Sequence, residues 1–492
     1  MRLRGADIIA RSLAAAGTRH VFTLSGNHVM PVFDAALDAN LQLVHVRHEA
    51  AAVHMADAWG RLTGQPGIAL VTGGPGHANA VSALYTALAA ESPLILISGH
   101  APLDELGKGA FQEMRQADVA APLAKASWTA QSAQSLAADV ARAWREARSG
   151  RPGPVHLSVP NDVLDAVVEA PGLGFKMDPD RSESSPEIRE ALRAGKRPLV
   201  IAGPARMRNG ARALEEATGV PVIGMESPRG VNDPSLGRLA DVLKQADVVL
   251  LLGKRADFTL KFGKAFAEDC RVVSAETFAT EERLCADGWR DEVRAALTYR
   301  PPAWQEIRSR SHPVAVCREV QRLLERPDAV LVCDGGEFGQ WAQACLSAPR
   351  RVINGPAGSI GAALPFAAAA QLAFPQARVV AMLGDGTFGF HMSEIDTAVR
   401  YRLPYLAVVG NDATWNAEYQ IQLRAYGAAR AHGCELLPTR YGAAAAAMGA
   451  HGEDVASFDE LQGALARASA ALAGGKPACV NVMIERVAAP KY

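Results

Sequence analysis

The sequence has no excess charge of either sign and no long apolar run. Its 51 basic and 52 acidic side chains leave a formal net charge of −1 over 492 residues. Such a balance gives no electrostatic reason to expect nucleic acid or an anionic membrane as a partner. No apolar run reaches the length of about 18 residues that a membrane span needs, and residues 1–10 lack the apolar core of a signal peptide. These absences favour a soluble protein with small-molecule partners.

Cysteine is also sparse, and its spacing excludes two further classes of protein. The seven cysteines are odd in number and scattered, and no two of them are spaced as Cys-x-x-Cys. This distribution argues against a disulfide framework and against a structural zinc site. We therefore expect a reducing compartment, the cytoplasm.

The length and the hydrophobic pattern together predict three α/β domains. A chain of 492 residues is too long for one hydrophobic core, and about 150 residues per domain gives roughly three. Helical periodicity alternates with short buried strands, which is typical of doubly wound parallel sheets. Breaker-rich stretches at 161–186 and 300–302 are interpreted as linkers. The predicted domains span residues 1–165, 187–299 and 312–488.

The spacing of apolar residues along the chain predicts particular segments as helices or strands. The predicted strands span 20–24, 198–202, 248–252, 329–333, 379–383 and 405–409, and the predicted helices include 6–16, 361–373 and 443–447. The last of these is an alanine run, and alanine is the best helix former.

The strongest chemical signal follows two of these strands. Residues 384–387 read Gly-Asp-Gly-Thr, and Asn411 and Asp412 follow the later strand, with Asp412 lying 412 − 385 = 27 positions after Asp385. Adjacent parallel strands bring their carboxyl-end loops together, where open α/β sheets bind ligands. Carboxylate and backbone oxygens suit a hard cation such as Mg²⁺, and glycines let backbone amides approach a diphosphate. The sequence therefore predicts a metal and diphosphate site here.

This arrangement resembles the thiamine diphosphate signature of the acetolactate synthase-type superfamily. In that family a Gly-Asp-Gly and a later Asn-Asn hold the metal diphosphate. The resemblance implies that Asp385, Asp412 and the carbonyl of Thr414 bind the metal. Asp412 departs from the pattern, because the family has asparagine there. The extra negative charge should strengthen metal binding and slightly repel the diphosphate, and the net effect stays open.

A second motif lies in the first predicted domain, far in sequence from the Gly-Asp-Gly motif. Residues 47–49 read Arg-His-Glu, and residues 72–79 read Thr-Gly-Gly-Pro-Gly-His-Ala-Asn. Thiamine chemistry requires a carboxyl group against the aminopyrimidine ring, to move the proton that activates the cofactor. The resemblance assigns this role to Glu49. It covers nearly the whole chain, in the order pyrimidine-binding, central and diphosphate-binding domain. It also implies a homodimer or homotetramer whose active sites lie at the subunit interface.

Further positions are carried over from the family one at a time. The expected cofactor contacts are Glu49, Ile360, Gly384, Asp385, Gly386, Thr387, Asn411 and Asp412, with Ile360 as the apolar residue that props the cofactor into its bent shape. The expected substrate contacts are Asn27, His28, His77, Gln112, Lys125 and Trp415. Lys125 matches a lysine near the substrate entrance of acetolactate synthases.

His28 carries the main expectation about specificity. The benzaldehyde lyase pattern has a histidine at this position beside a pocket glutamine, which Gln112 matches, whereas acetolactate synthases have small residues there. An imidazole with a near-neutral pKa can relay a proton to or from a substrate hydroxyl. The alternative is that His28 has only a structural role and caps the next helix.

The central domain leaves its ligand open. Its stretch from Leu252 to Gly263 resembles 2-hydroxyacyl-CoA lyases and oxalyl-CoA decarboxylases, and its basic residues, Lys254, Arg255, Lys261 and Lys264, would suit an ADP-like group. Charged residues after a strand are more often a solvated face. Acetolactate synthases hold FAD in this domain, but the region from Met225 to Gly237 lacks their glycine and histidine pattern, so FAD is not expected.

These observations predict an enzyme that uses thiamine diphosphate and Mg²⁺ to make or break a carbon-carbon bond beside a carbonyl. The expected reaction is decarboxylation or carboligation of a 2-keto acid. Cleavage of a 2-hydroxy ketone or 2-hydroxyacyl-CoA is the alternative. A non-catalytic cofactor-binding relative is the alternative of another class. A nicotinamide-dependent oxidoreductase is disfavoured because no Gly-x-Gly-x-x-Gly turn opens a helix.

Overall fold

A computed structural model describes residues 2–170, 172–173, 185–208 and 210–490 of the chain. The strands are β1 Arg2–Arg4, β2 His20–Thr23, β3 Gln42–His45, β4 Gly67–Val71, β5 Leu94–His100, β6 Ala126–Thr129, β7 Pro154–Pro160, β8 Val167–Glu169, β9 Pro198–Ala202, β10 Val222–Gly224, β11 Val248–Leu252, β12 Arg271–Ala275, β13 Val330–Cys333, β14 Arg350–Ile353, β15 Val379–Gly384, β16 Leu406–Asn411, β17 His451–Val455 and β18 Ala478–Met483.

The helices of the first 300 residues are α1 Gly5–Ala15, α2 Met30–Asp38, α3 Glu49–Thr63, α4 Pro75–Ala89, α5 Gln116–Ala120, α6 Leu136–Arg148, α7 Asn161–Asp165, α8 Pro186–Ala194, α9 Pro204–Arg208, α10 Ala211–Thr218, α11 Leu239–Gln245 and α12 Asp287–Thr298. The later helices are α13 Pro302–Glu306, α14 Pro313–Leu324, α15 Gly336–Cys345, α16 Ala363–Ala373, α17 Asp385–Phe390, α18 Glu394–Arg400, α19 Asn416–Tyr426, α20 Tyr441–Ala447 and α21 Phe458–Ala473. None of the helices in the described ranges is long and apolar enough to cross a membrane.

All of these strands except β1 and β8 form three parallel sheets, as the alternation of helix and strand predicts. The first has the order β3-β2-β4-β5-β7-β6, the second β10-β9-β11-β12 and the third β14-β13-β15-β16-β18-β17. Each strand in them pairs parallel to its neighbours. Central strands such as β4, β5, β11 and β13 are buried at every residue, because helices cover both sheet faces. The predicted α/β class is therefore confirmed.

The chain divides into two compact units. Unit 1 comprises residues 1–180 with 368–373 and 396–401, and unit 2 comprises 181–367, 374–395 and 402–492. The first sheet lies in unit 1, and the second and third sheets both lie in unit 2. The predicted ranges 187–299 and 312–488 therefore contribute to one compact unit.

The linker predicted at 161–186 is wrong over its first part. Residues 161–165 form α7, and β8 pairs antiparallel with β1, so that Arg2 lies opposite Glu169. Two apolar side chains in this stretch, Val163 and Leu164, are buried in the first hydrophobic core. Burial of these side chains outweighs the local polarity on which the linker prediction was based. The remainder, 171 and 174–184, lies outside the described residues.

Candidate active site

Four neighbouring strands of the first sheet carry the predicted residues of unit 1. The loop with His28 follows β2, Glu49 follows β3, the Thr72–Asn79 stretch follows β4, and Gln112 follows β5. The order β3-β2-β4-β5 places all four carboxyl ends side by side. Loops scattered over almost 90 positions of sequence therefore meet at one edge of the sheet, where open α/β sheets bind ligands.

Glu49 is held by a residue that sequence reasoning did not single out. Its carboxylate is buried, with 8 % of the residue exposed, and Asn79 Nδ2 donates a hydrogen bond of 3.0 Å to Glu49 Oε2. Glu49 opens α3, and the N-cap residue His48 accepts a hydrogen bond from the Ala50 amide. The hydrogen bond from Asn79 therefore fixes the direction of the carboxylate. It occupies Oε2 and leaves Oε1 without a bond from Asn79.

A glycine beside Glu49 leaves space next to its free oxygen. A Cβ placed on Gly76 would lie 2.7 Å from Thr72 Cγ2 and 3.3 Å from Glu49 Oε1. The space between Thr72 and the Glu49 carboxylate at Gly76 is therefore too small for a further side chain. Any residue other than glycine there would press on both neighbours.

His28 belongs to the same cluster. Its ring is buried, and Nδ1 lies 3.2 Å from the Thr72 hydroxyl. The ring also stacks on Phe111, with 6.1 Å between centroids. Burial lowers the pKa of His28, and the nearby His100 lowers it further, so the imidazole is neutral at neutral pH. His28 therefore contacts Thr72, and the space beside Gly76 lies between Thr72 and Glu49.

Gln112 adopts a backbone conformation that non-glycine residues rarely take. Its φ is +56°, and its backbone crosses directly over Gly74, where an added Cβ would lie 2.6 Å from the Gln112 carbonyl oxygen. The Glu113 carboxylate holds the loop by accepting hydrogen bonds from the amides of Gly107, Gly109 and Ala110. Strained backbone of this kind is concentrated at functional sites, which supports the prediction for Gln112.

Of three other predicted residues, Asn27 adjoins this cluster, whereas His77 and Lys125 are directed elsewhere. Asn27 is exposed beside His28. His77 is fully buried, and its Nδ1 lies 2.8 Å from Ser98 Oγ of β5, so the ring faces the interior of the unit. Lys125 precedes β6 at the amino end of the sheet, opposite the loops described above, and its ammonium group binds the carbonyl oxygens of Glu146 and Ser149. That location does not support a place at the substrate entrance.

A buried glutamine, missed from the sequence, ties these loops together. Gln116 Oε1 accepts from the Gly74 amide at 2.8 Å, while Nε2 donates to the Gly99 carbonyl and the Ser158 hydroxyl. Gln116 therefore joins the loop after β4 to β5 and β7. It lies four positions from Gln112, but nothing in the local sequence distinguishes it.

Unit 2 contains the predicted metal and diphosphate residues at one edge of the third sheet. Gly335 and Gly336 follow β13, Asp385 follows β15 and Asp412 follows β16, and these three strands are neighbours. A cavity of about 70 Å³ lies between them, lined by Gly335, Gly336, Glu337, Phe338, Ile360, Gly384, Asp385, Gly386, Thr387, Gly410, Asp412, Thr414, Trp415, Asn416, Ala417 and Glu418. Seven of the predicted cofactor and metal residues therefore line one cavity.

Three of the glycines that line this cavity are required by close contacts. A Cβ on Gly386 would lie 2.7 Å from the Trp415 ring, and one on Gly335 would lie 2.8 Å from Ile360 Cγ2. Similarly, a Cβ on Gly410 would lie 2.5 Å from the Phe338 ring. Because the backbone itself forms the wall, its amides are accessible to a bound anion.

The two aspartates line the same cavity, where Asp385 is buried and Asp412 is half-buried. Burial raises the pKa of Asp385 to about 6, and it raises the pKa of Asp412 to about 7 with a further contribution from the negative charge of Asp385. Asp385 is only 2 % exposed, yet its Oδ2 has no hydrogen-bond partner among the described residues. An orphaned buried carboxylate oxygen beside a second carboxylate fits a divalent cation.

Asn411 has a structural position instead of a ligand position. Its Nδ2 donates to the Thr439 carbonyl at 3.0 Å and to Asn481 Oδ1 at 3.2 Å, while its Oδ1 accepts from the Ala413 amide. Asn411 does not line the cavity. It braces the turn that carries Asp412, in which Ala413 has a φ of +53°.

Comparisons with known proteins agree with this geometry. Residues 3–119 match the family described as "Thiamine pyrophosphate enzyme, N-terminal TPP binding domain", and residues 334–482 match "Thiamine pyrophosphate enzyme, C-terminal TPP binding domain". Thiamine pyrophosphate is another name for thiamine diphosphate. The chain belongs to the thiamine diphosphate-dependent enzymes. The predictions of an enzyme and of thiamine diphosphate as cofactor are therefore confirmed, and a nicotinamide oxidoreductase or a non-catalytic protein is set aside.

Full-length relatives fall into two groups of this family. A "Probable acetolactate synthase" of Mycobacterium bovis is 33% identical over 97% of this chain and 95% of its own length. The "2-hydroxyacyl-CoA lyase 2" of Mus musculus is 31% identical over 98% of this chain and 90% of its own length, and the human protein of that name is 30% identical. The acetolactate synthase-like enzyme expected from the sequence is confirmed at the level of the family.

Proposed function

We propose that this enzyme breaks and forms the carbon-carbon bond of a 2-hydroxy carbonyl compound, with thiamine diphosphate and Mg²⁺. The observation that carries the proposal is the position of His28 and Glu49 around the loop after β4: His28 Nδ1 lies 3.2 Å from the Thr72 hydroxyl, and the space beside Gly76 borders both Thr72 and Glu49 Oε1. A neutral imidazole and the carboxylate that suits cofactor activation therefore lie at the same loop. Bound thiamine diphosphate supplies the electron sink for a bond that breaks next to a carbonyl.

The protein's own side chains and backbone would activate the cofactor, hold the metal and support the cofactor. Glu49, oriented by Asn79, would hold and move the proton at the aminopyrimidine ring. Asp385, Asp412 and the carbonyl of Thr414 would hold Mg²⁺, and the glycine walls would admit the diphosphate oxygens. Ile360 would support the cofactor between its two ends, because it lines the cavity against Gly335.

His28 would accept the proton of the substrate hydroxyl when the bond breaks and return it when the bond forms. A lowered pKa keeps the imidazole able to accept at neutral pH. Gln112, fixed by its strained backbone, would orient the substrate. A 2-keto acid that only loses carbon dioxide presents no hydroxyl proton to remove, and this difference favours the 2-hydroxy carbonyl substrate.

An acyl-CoA substrate receives less support from the described residues. Lys254 is the most buried of the basic side chains in the central stretch, and its Nζ forms an ion pair of 2.5 Å with Asp257. The charge of Lys254 is therefore already neutralised inside the domain. A small 2-hydroxy ketone is the substrate class that we propose.

The assembly that we propose is a homodimer or homotetramer in the cytoplasm, with each active site shared between two chains. Glu49 belongs to unit 1 and Asp385 to unit 2, and the resemblance to the family implies that each meets its counterpart in another subunit. A cytoplasmic enzyme is also in keeping with its seven free cysteines.

The reaction is tested with purified protein, thiamine diphosphate and Mg²⁺ against benzoin, pyruvate and a 2-hydroxyacyl-CoA. Release of an aldehyde from benzoin, lost in His28→Ala, is the expected result. Conversion of pyruvate to acetolactate with no cleavage of benzoin would instead establish the second candidate function, carboligation of a 2-keto acid. The acetolactate synthase relatives favour that second candidate.

A further inference from the structure

The cavity in unit 2 contains more negative charge than its surroundings neutralise. Asp385 and Asp412 both line it, and neither forms an ion pair within 4 Å in the described part of the chain. Glu337, which also lines the cavity, is different, because Arg229 Nη2 lies 3.3 Å from its Oε2. Glu418 lines the cavity too, but it is exposed to solvent, so the uncompensated charge that is shielded from solvent lies on the two aspartates.

Arg486 offsets this charge only in part, because its positive charge lowers the pKa of Asp412 but it forms no ion pair with either aspartate. Arg486 contacts the backbone oxygen of Asp412 at 3.4 Å, and its guanidinium lies over the Tyr419 ring, 4.9 Å from the centroid. Meanwhile Asp385 Oδ2 is buried and has no hydrogen-bond partner among the described residues. A buried and a half-buried carboxylate in one cavity repel each other, and this unfavourable arrangement is relieved when a cation binds between them.

We propose that the second carboxylate lets this protein bind a divalent cation without diphosphate, so that the metal binds first and thiamine diphosphate follows. Two carboxylates balance the whole charge of a divalent ion. An Asp and Asn pair would balance only half of it and would depend on the diphosphate for the rest. The proposal rests on the metal site of the proposed function, and it adds an order of assembly that follows from Asp412.

The same charge has the opposite effect on the free cofactor. Without metal, two carboxylates repel the diphosphate more strongly than one does. The protein should therefore have little affinity for thiamine diphosphate in the presence of a chelator. Replacement of Asp412 by asparagine should weaken binding of the metal alone and strengthen metal-free binding of thiamine diphosphate. A variant whose cavity is misfolded would instead lose both binding of the metal and binding of thiamine diphosphate.

The experiment uses full-length apoprotein at about pH 8 and the isosteric variant Asp412→Asn. Binding of Mn²⁺ alone is measured by electron paramagnetic resonance, and binding of thiamine diphosphate in EDTA by tryptophan fluorescence. We expect one Mn²⁺ per chain in the unaltered protein, an affinity at least about tenfold lower in Asp412→Asn, and no such site in Asp385→Asn. We also expect metal-free thiamine diphosphate to bind Asp412→Asn more tightly than the unaltered protein.

Two results would overturn this proposal. One is absence of Mn²⁺ binding to an apoprotein that becomes active once metal and cofactor are added together, which would leave the proposed function intact. The other is equal Mn²⁺ affinity in Asp412→Asn. If Mn²⁺ binds as expected but no substrate is turned over, the proposed function fails and the order of assembly stands.

Discussion

Asn79 donates a hydrogen bond of 3.0 Å to Glu49, from the first turns of one helix to the first residue of another. The two residues are 30 positions apart, and the helices that carry them follow strands β3 and β4 of the same sheet. A carboxylate that moves a proton needs a fixed direction, and this bond gives it one. Two predictions about activity depend on this pair.

Substitution Glu49→Gln removes the carboxylate that we propose moves the proton, while it keeps the size of the side chain. We expect turnover to fall by at least about a hundredfold, since a positioned acid or base contributes roughly 10²–10⁴ in rate. Binding of thiamine diphosphate, measured by calorimetry, should change little because the diphosphate site is in unit 2. Full activity of this variant would contradict the assignment of Glu49.

Substitution Asn79→Ala removes only the orienting hydrogen bond. A hydrogen bond to a charged group contributes about 1.5–3 kcal/mol, so kcat should fall by roughly tenfold to a hundredfold while KM for the substrate stays similar. Asn79→Asp would place a second negative charge beside Glu49 and should lower kcat further. If Asn79→Ala lowers thermal stability but leaves kcat unchanged, the residue is structural.

Gly386→Ala tests the glycine wall of the diphosphate site. The added Cβ would lie 2.7 Å from the Trp415 ring, which forms another wall of the cavity. We expect affinity for thiamine diphosphate to fall by about tenfold or more, because the ring or the backbone must move. Gly389→Ala is the matched control, since it lies in the same helix with no atom within 4 Å of its added Cβ, and it should bind the cofactor normally.

Two buried histidines predict a loss of stability in acid. Burial lowers the pKa of His77 from 6.5 to about 4 and lowers that of His156 well below 6.5, and both hydrogen bond to Ser98. In the unfolded chain both protonate below about pH 6.5, whereas in the fold they stay neutral. Their contribution to stability is therefore complete above pH 6.5 and is lost as the pH falls from about 6.5 towards 4.

The measurement is the free energy of unfolding in urea between pH 8 and pH 5. His77 alone should account for a decrease on the order of 2 kcal/mol near pH 5, from the shift of its pKa. His77→Asn should flatten the profile over this range, while His432→Asn, a substitution of an exposed histidine, should not. Identical profiles for all three proteins would contradict the role of His77.

Much of the fold could be predicted because the buried strands are short apolar runs with clear ends. Strands β9 and β11 match the predicted ranges 198–202 and 248–252 residue for residue, and α20 contains the predicted alanine helix. The linker at 161–186 was partly wrong because Val163 and Leu164 are buried by tertiary contacts that local polarity does not indicate. The grouping of the second and third sheets into one compact unit also depends on contacts distant in sequence.

The residues of the candidate site also fall into those that could be predicted from the sequence and those that could not. Asp385, Asp412 and the glycines directly follow strands, so their convergence could be predicted from strand order alone. Asn79, Gln116 and Thr72 could not be assigned roles, because their partners follow other strands and lie 30 or more positions away. The assignment of Lys125 to the substrate entrance is not supported, because the residue precedes its strand and lies at the other end of the sheet.

The most direct test of the central claim mixes two inactive variants. The claim is that Glu49 of one chain and Asp385 of another serve the same thiamine diphosphate. Glu49→Gln and Asp385→Asn should each be inactive alone. In a co-expressed mixture, heterodimers contain one site with an intact Glu49 and an intact Asp385, so about one quarter of unaltered activity should return. Heterodimers that form and remain inactive would contradict the account.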